Sequence, residues 1–176
     1  MEMPKADYVA ELGALALASR LRRLLQRLHS DGEQVYRNLN LDFKPKWFPV
    51  IHLLAHRSAL PLTELAGLLS VTHPSLIETV RELVAAGLVN TRKSDRDGRR
   101  RELSLSREGK RLCIRLQPVW GAFGAAGEAA IKEGNNDLLE AVGRFERALD
   151  NRSMYERIMM RVERRARKQR KTGNVT

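Results

Sequence analysis

The chain has 176 residues and a mass of 20.0 kDa, which suits one compact domain with an appended helical arm. Hydrophobic residues at 43% and charged residues at 30% allow a real core and exclude wholesale disorder. No apolar run approaches the roughly 20 residues of a membrane-spanning helix, and the one cysteine, Cys113, excludes an internal disulfide and an all-cysteine metal site.

The net charge of +11 is concentrated in two places. Residues 92–101 hold six basic and two acidic side chains; residues 152–171 hold nine basic and two acidic; the rest sums to zero. Two basic segments on a neutral body point to a polyanion, nucleic acid ahead of an anionic membrane, against the plainer reading of a solvated surface. The first seven residues carry neither a signal nor a transit pattern, so the expected location is the reducing cytoplasm.

In chain order, Leu17, Leu21, Leu24 and Leu28 recur at helical spacing and predict a helix over 8–29, stopped by Ser30-Asp31-Gly32. Residues 31–44 read as a loop. A second helix opens at Lys44-Pro45-Lys46 with Trp47, Val50, Ile51 and Leu54 on its apolar side and Pro49 in its first turn. A short helix over 61–69 is followed by the turn Ser70-Val71-Thr72. A further helix then runs from about His73 to Ala86, with Thr72 or His73 as N-cap, Pro74 in its first turn and Gly87 as its stop.

The period then changes. Residues 88–93 and 100–105 alternate as two short strands, Leu103 and Leu105 on one face, around a polar tip at 94–99 containing Gly98. Ser106 is positioned to cap a helix from 107 into the 120s, which Gly121, Gly124 and Gly127 are expected to bend or break unless a neighbouring backbone packs on them. Asn136 or Asp137 caps a last long helix over 137–167. The basic end beyond Arg164 is expected to fray.

Helix, short helix, turn, helix and hairpin in this order is the plan of a winged helix-turn-helix, in which one helix enters the major groove and the basic hairpin reaches the neighbouring backbone or minor groove. The stretch Leu65-Ala-Gly-Leu-Leu-Ser-Val-Thr-His-Pro-Ser-Leu-Ile-Glu-Thr-Val-Arg-Glu-Leu-Val-Ala-Ala-Gly-Leu-Val89 resembles the helix-turn-helix of the MarR family of bacterial transcription regulators. Asp95-Arg-Asp-Gly-Arg-Arg-Arg-Glu-Leu-Ser-Leu-Ser-Arg-Glu-Gly109 resembles that family's wing, with Ser106 where Thr is usual. The match covers about residues 47–112. It implies a mainly α fold with a small two- or three-stranded β wing, flanked by N- and C-terminal dimerisation helices. The expected organisation is 1–44 for the N-terminal dimerisation helix and linker, 45–112 for the DNA-binding domain, 113–167 for C-terminal dimerisation helices and 168–176 for a flexible basic tail.

The resemblance further implies a homodimer whose two modules bind a pseudo-palindrome, the recognition helices about one turn of duplex, roughly 34 Å, apart. The leucine stripes at 17–28 and 138–162 permit that pairing; folding back onto their own chain is the alternative. Candidate DNA contacts are His73, Ser75, Ile77, Glu78 and Arg81 on the recognition helix and Arg96, Arg99, Arg100 and Arg101 on the wing. Glu78 departs from the family, which often has a basic residue there. It serves equally as acceptor for a cytosine amino group or as partner of Ser75 in a capping box. Asp97 reads as orienting a wing arginine rather than touching DNA.

MarR-like proteins often hold small aromatic effectors between the dimer helices and the winged module, which makes Trp47, Phe48, His52, Trp120 and Phe123 candidates for such a pocket. Ordinary core aromatics is the plainer reading. No cofactor or metal is expected: His52 and His56 are spaced to chelate zinc but lack a third ligand nearby, and Cys113 reads as a buried small hydrophobe. Some MarR-like modules are fused to acetyltransferases, but no Gly-rich cofactor loop or catalytic triad is evident, and an enzyme is not expected. The basic run Arg161–Lys171 reads as a solvated tail ahead of a second DNA contact, since the family's arms usually point away from DNA. The competing function is a winged-helix protein-interaction module without specific DNA binding, favoured by the acidic Glu78 and Glu82.

Overall fold

A computed structural model describes residues 7–93, 101–134 and 137–172. The chain divides into two compact units that meet in sequence at Gln117–Pro118.

The first unit opens with α1 (Tyr8–Glu11), capped by Asp7, whose carboxylate accepts from the Ala10 N–H at 3.3 Å and pairs with Arg23 at 2.6 Å. After a 3₁₀ turn at Gly13–Ala16, α2 (Leu17–Asn38) begins. It does not stop at Ser30-Asp31-Gly32 but runs on to Asn38. The predicted loop 31–44 is therefore half helix, and its second half is core, since Leu41 and Phe43 are buried. Tyr36 explains the extension. It is only 4% exposed and meets the Phe43 ring edge-on at 5.0 Å. Burying an aromatic ring outweighs the roughly 1 kcal/mol that Gly32 costs a helix.

Phe43 in turn meets Trp47 edge-on at 5.9 Å, just before α3 (Phe48–His56), which carries Pro49 in its first turn and buries Val50, Ile51 and Leu54. Then come β1 (Leu60–Pro61), α4 (Leu62–Leu69), the turn at Ser70 and α5 (His73–Ala85). Thr72 holds the N-cap position of α5 without a side-chain bond, and the Ser75–Glu78 capping box, one of the two readings of Glu78, does not form because Ser75 lies inside the helix. Gly87, at φ +70°, turns the chain into β2 (Val89–Lys93), as a residue without Cβ can at no steric cost. β3 (Arg101–Leu105) completes an antiparallel sheet of order β1-β3-β2. Leu103 pairs with Leu60 on one side and Thr91 on the other. Leu103 and Leu105 point into the core, as their alternation requires. The third strand, two residues long, is too short to show a period in sequence.

The largest fully buried side chains, Ile51, Leu65, Leu76, Leu83, Leu103 and Leu116, come from four helices and the central strand. Ser106 joins the wing to this core. Its Oγ donates to the Gly87 carbonyl at 2.6 Å and accepts from the Gly109 N–H at 2.9 Å, while its own N–H donates to the Leu88 carbonyl. It thereby starts α6 (Arg107–Glu133). A Cβ at Gly109 would lie 2.1 Å from the Leu88 oxygen, so only glycine allows this approach.

α6 continues through Gly121, Gly124 and Gly127, so the expected break is absent. A Cβ at any of the three meets nothing within 4 Å among the described residues, so no neighbouring backbone packs there either. In the second unit the single helix expected over 137–167 is two, α7 (Leu138–Asn151) and α8 (Met154–Thr172). Ser153 and Glu156 form a capping box: Glu156 accepts from the Ser153 N–H at 2.8 Å and Ser153 Oγ accepts from the Glu156 N–H at 3.2 Å. The Arg157 guanidinium takes the Ala148 and Arg152 carbonyls at the end of α7. The region expected to fray beyond Arg164 is helical to Thr172.

Gly109→Ala should lower the urea midpoint by the equivalent of about 1–3 kcal/mol, the usual cost of overpacking. Gly67→Ala, where an added Cβ meets nothing within 4 Å, should raise it by about 0.5–1 kcal/mol.

Candidate nucleic-acid interface

The division of α5 follows from its period. Leu76, Val80 and Leu83 face the core; His73, Ser75, Glu78 and Arg81 are exposed, and Ile77 is half-buried at the edge. On one flank of the helix Ile77, Arg81 and Val84 share a groove with Thr91, Arg101 and Leu103 of the sheet. On the other flank Ser75, Glu78 and Thr79 line a smaller cleft with Lys46 and Pro49. The fold thus brings Ile77 and Arg81 of the recognition helix together with Arg101 of the wing. Arg96, Arg99 and Arg100 lie outside the described residues.

A charged clamp joins the C-terminal half of α5 to a neighbouring element. The Glu82 carboxylate accepts from Lys46 at 2.5 Å, from the Trp47 indole N–H at 3.0 Å and from Lys44 at 3.1 Å. These donors all come from the turn that leads into α3. Lys44 also sits 5.1 Å from the centre of the Trp47 ring, within cation–π range. Hydrogen bonds from Lys46, Trp47 and Lys44 hold the Glu82 carboxyl down at about 2, and Glu82 in return raises the Lys46 ammonium. Lys46 also reaches Glu78 at 3.6 Å. Both acids of the recognition helix are therefore matched by lysines from a neighbouring element. In the wing, Arg92 pairs with Glu102 at 3.6 Å across β2 and β3.

The proposed effector residues are placed differently from one another. Trp47 is 4% exposed, its N–H taken by Glu82. His52 is exposed, with Phe48 at 5.1 Å on one side and His56 at 4.5 Å on the other. Burial first, and the His56 charge second, lower the His52 imidazole. His56 Nδ1 donates to the His52 carbonyl at 2.8 Å. Trp120 and Phe123 are half-buried, three residues apart on α6, in the second unit. Among the described residues no three His, Cys, Asp or Glu side chains are grouped to hold a metal. Burial pushes the Cys113 thiol up, away from thiolate chemistry.

The model of the MarR family matches residues 41–100. The HTH-type transcriptional regulator PetP of Rhodobacter capsulatus is 35% identical over 97 residues, which cover 52% of this chain and 58% of PetP. The match thus spans little more than half of that curated relative. Among solved structures, the MepR–DNA complex of S. aureus aligns with a TM-score of 0.62 at 16% identity, covering 77% of this chain and 97% of MepR. CouR bound to a 23-mer DNA duplex gives 0.62 at 21%, covering 83% and 99%. A MarR variant from E. coli with operator DNA gives 0.55 at 20%, covering 83% and 98%. These likenesses establish the shared winged fold.

Within the winged module, the sequence pattern pointed to α5 and the hairpin but not to Lys44 and Lys46. Their signal was present as two basic residues flanking Pro45. Nothing local says that their partner stands 36 and 38 residues further on.

Glu82 has a folded-state value near 2 against 4.5 for a free glutamate. Between those values the folded chain binds fewer protons than the unfolded one. The stabilisation is therefore complete above about pH 4.5 and is lost as pH falls through 2. Urea unfolding followed by tryptophan fluorescence should show wild type ahead of Glu82→Gln at pH 6, with the lead shrinking from pH 4.5 downward. A lead that stays constant over that range would assign the effect to packing.

Proposed function

We propose that this protein is a homodimeric, DNA-binding transcription regulator that places α5 in the major groove and its basic wing on the adjacent backbone. The observation that carries the reading is the shared surface of α5 and the sheet, where Ile77, Arg81 and Arg101 border one groove beside the basic wing. The acids of α5 speak less against DNA than their number suggests, since Lys44 and Lys46 balance them. That weakens the alternative of a protein-interaction module, which rested on Glu78 and Glu82.

Two features support pairing of chains. Leu21, Leu24, Leu25 and Leu28 on α2 are 45–60% exposed, and Val142 and Phe145 on α7 are 43% and 38% exposed. Stripes of this length on a soluble regulator call for a cover, and a second copy supplies the same stripe by symmetry. Two modules then address the two halves of a pseudo-palindrome. A small aromatic effector would regulate binding only by favouring one spacing of the modules over the other. Such a regulator acts in the cytoplasm and catalyses no reaction; no described helix is long and apolar enough to cross a membrane.

Selection from random duplex should return a twofold-symmetric site with half-sites about one helical turn apart. Sedimentation at micromolar concentration should give twice the 20.0 kDa chain mass. Arg81→Ala and Arg101→Ala should each lower affinity, and each that removes a phosphate contact should reduce the salt slope by about 0.9. A double Arg96→Ala, Arg99→Ala variant that binds as wild type would overturn the assignment of the wing.

A further inference from the structure

We propose that α8 is a second contact for the duplex phosphate backbone, independent of sequence and separate from α5 and the wing. The inference rests on the reading that the protein binds duplex DNA. It starts from the finding that the basic C-terminal segment, expected as a fraying tail, is one helix from Met154 to Thr172, about 28 Å at 1.5 Å per residue.

Helical spacing sorts its residues into two stripes. Tyr155, Ile158, Met159, Val162 and Ala166 recur at i, i+3, i+4, i+7 and i+11. Arg157, Arg161 and Arg164 recur at i, i+4 and i+7 on the opposite side. The two ends of the basic stripe differ in use. Arg157 is engaged in closing α7 through the Ala148 and Arg152 carbonyls. Four of the cations that follow are uncommitted: Arg161, Arg164, Arg165 and Arg167 are all exposed, and none makes an ion pair with a described residue. Only Glu163 stands among them.

Like charges at i, i+3 and i, i+4 repel and weaken a helix. A polyanion laid along the stripe removes that repulsion and releases its own condensed counterions. Two features favour nucleic acid over a membrane surface. The large apolar side chains end at Val162 while the charge continues for nine more residues, so the most basic turns have nothing to insert among acyl chains. Seven of the nine cations over 152–171 are arginine, whose planar fork matches phosphate oxygens in pairs.

The test uses the full chain and a 40-base-pair duplex of random sequence, with affinity measured across a salt series. R161Q/R164Q/R165Q/R167Q should reduce the slope of log affinity against log salt by about two to four units per chain, at about 0.9 per lost contact, and should lower low-salt affinity more than tenfold. The corresponding four-lysine variant should keep the wild-type slope. If it loses slope like the glutamine variant, the effect is one of folding and the proposal falls. An R81A/R101A variant separates the two readings. If it loses affinity while the α8 glutamine variant keeps the wild-type slope, the α8 contact is wrong and the winged module still binds DNA. If wild type binds no duplex at any salt, both readings fall. Arginine-dependent binding to phosphatidylserine vesicles, with an unchanged duplex slope, would overturn the proposal in favour of a membrane surface.

Discussion

The recognition helix of this module is tied to its neighbour by one carboxylate. Glu82 stands on the flank of α5, between the buried stripe and the exposed face, and gathers three donors from the turn before α3. The apolar contacts of Leu76, Val80 and Leu83 hold α5 against the core but are non-directional. Two ammonium groups and an indole N–H are directional. They tie the flank of the helix to the turn before α3, beside the face that carries Ser75, Ile77, Glu78 and Arg81. Trp47 links this clamp to the aromatic series Tyr36, Phe43 and Trp47, so the placement of α5 depends on the end of α2 as well as on α3.

The wing is placed by a second joint of different chemistry. Ser106 and Gly109 dock the start of α6 onto the Gly87–Leu88 corner through short backbone bonds. The corner needs a positive φ at Gly87, and the docking needs no Cβ at Gly109. The Leu-Ser-x-x-Gly pattern that resembled a family signature thus has a steric cause. The serine satisfies backbone groups left over where helix, strand and helix meet, and the glycine clears the Leu88 oxygen. Together the clamp and the joint put Arg81 and Arg101 on the same groove.

Charge is distributed accordingly. Within the winged module the acids near the groove are balanced locally, Glu82 and Glu78 by lysines and Glu102 by Arg92. At the far end of the chain the opposite holds. Four exposed arginines fall within seven residues of a single helix with only Glu163 among them, and none is in an ion pair with a described residue. Local balance serves a surface that must read shape and base edges, whereas unbalanced charge serves attraction without selection.

Periodicity and punctuation in the sequence determined α3, α4, α5, the two long strands, the Gly87 stop and the Ser106 cap, because each is decided by neighbours within about four residues. The exposed candidates on α5 were legible for the same reason: once Leu76, Val80 and Leu83 are inward, the opposite face is fixed by the helical repeat. The tertiary structure alone decided the rest. It carried α2 through Gly32, because burying Tyr36 against Phe43 outweighs a local stop signal. It added the strand Leu60–Pro61, which exists only as a partner for β3. It also gave Glu82 to Lys44, Lys46 and Trp47, an interaction between residues more than thirty positions apart that no local pattern encodes.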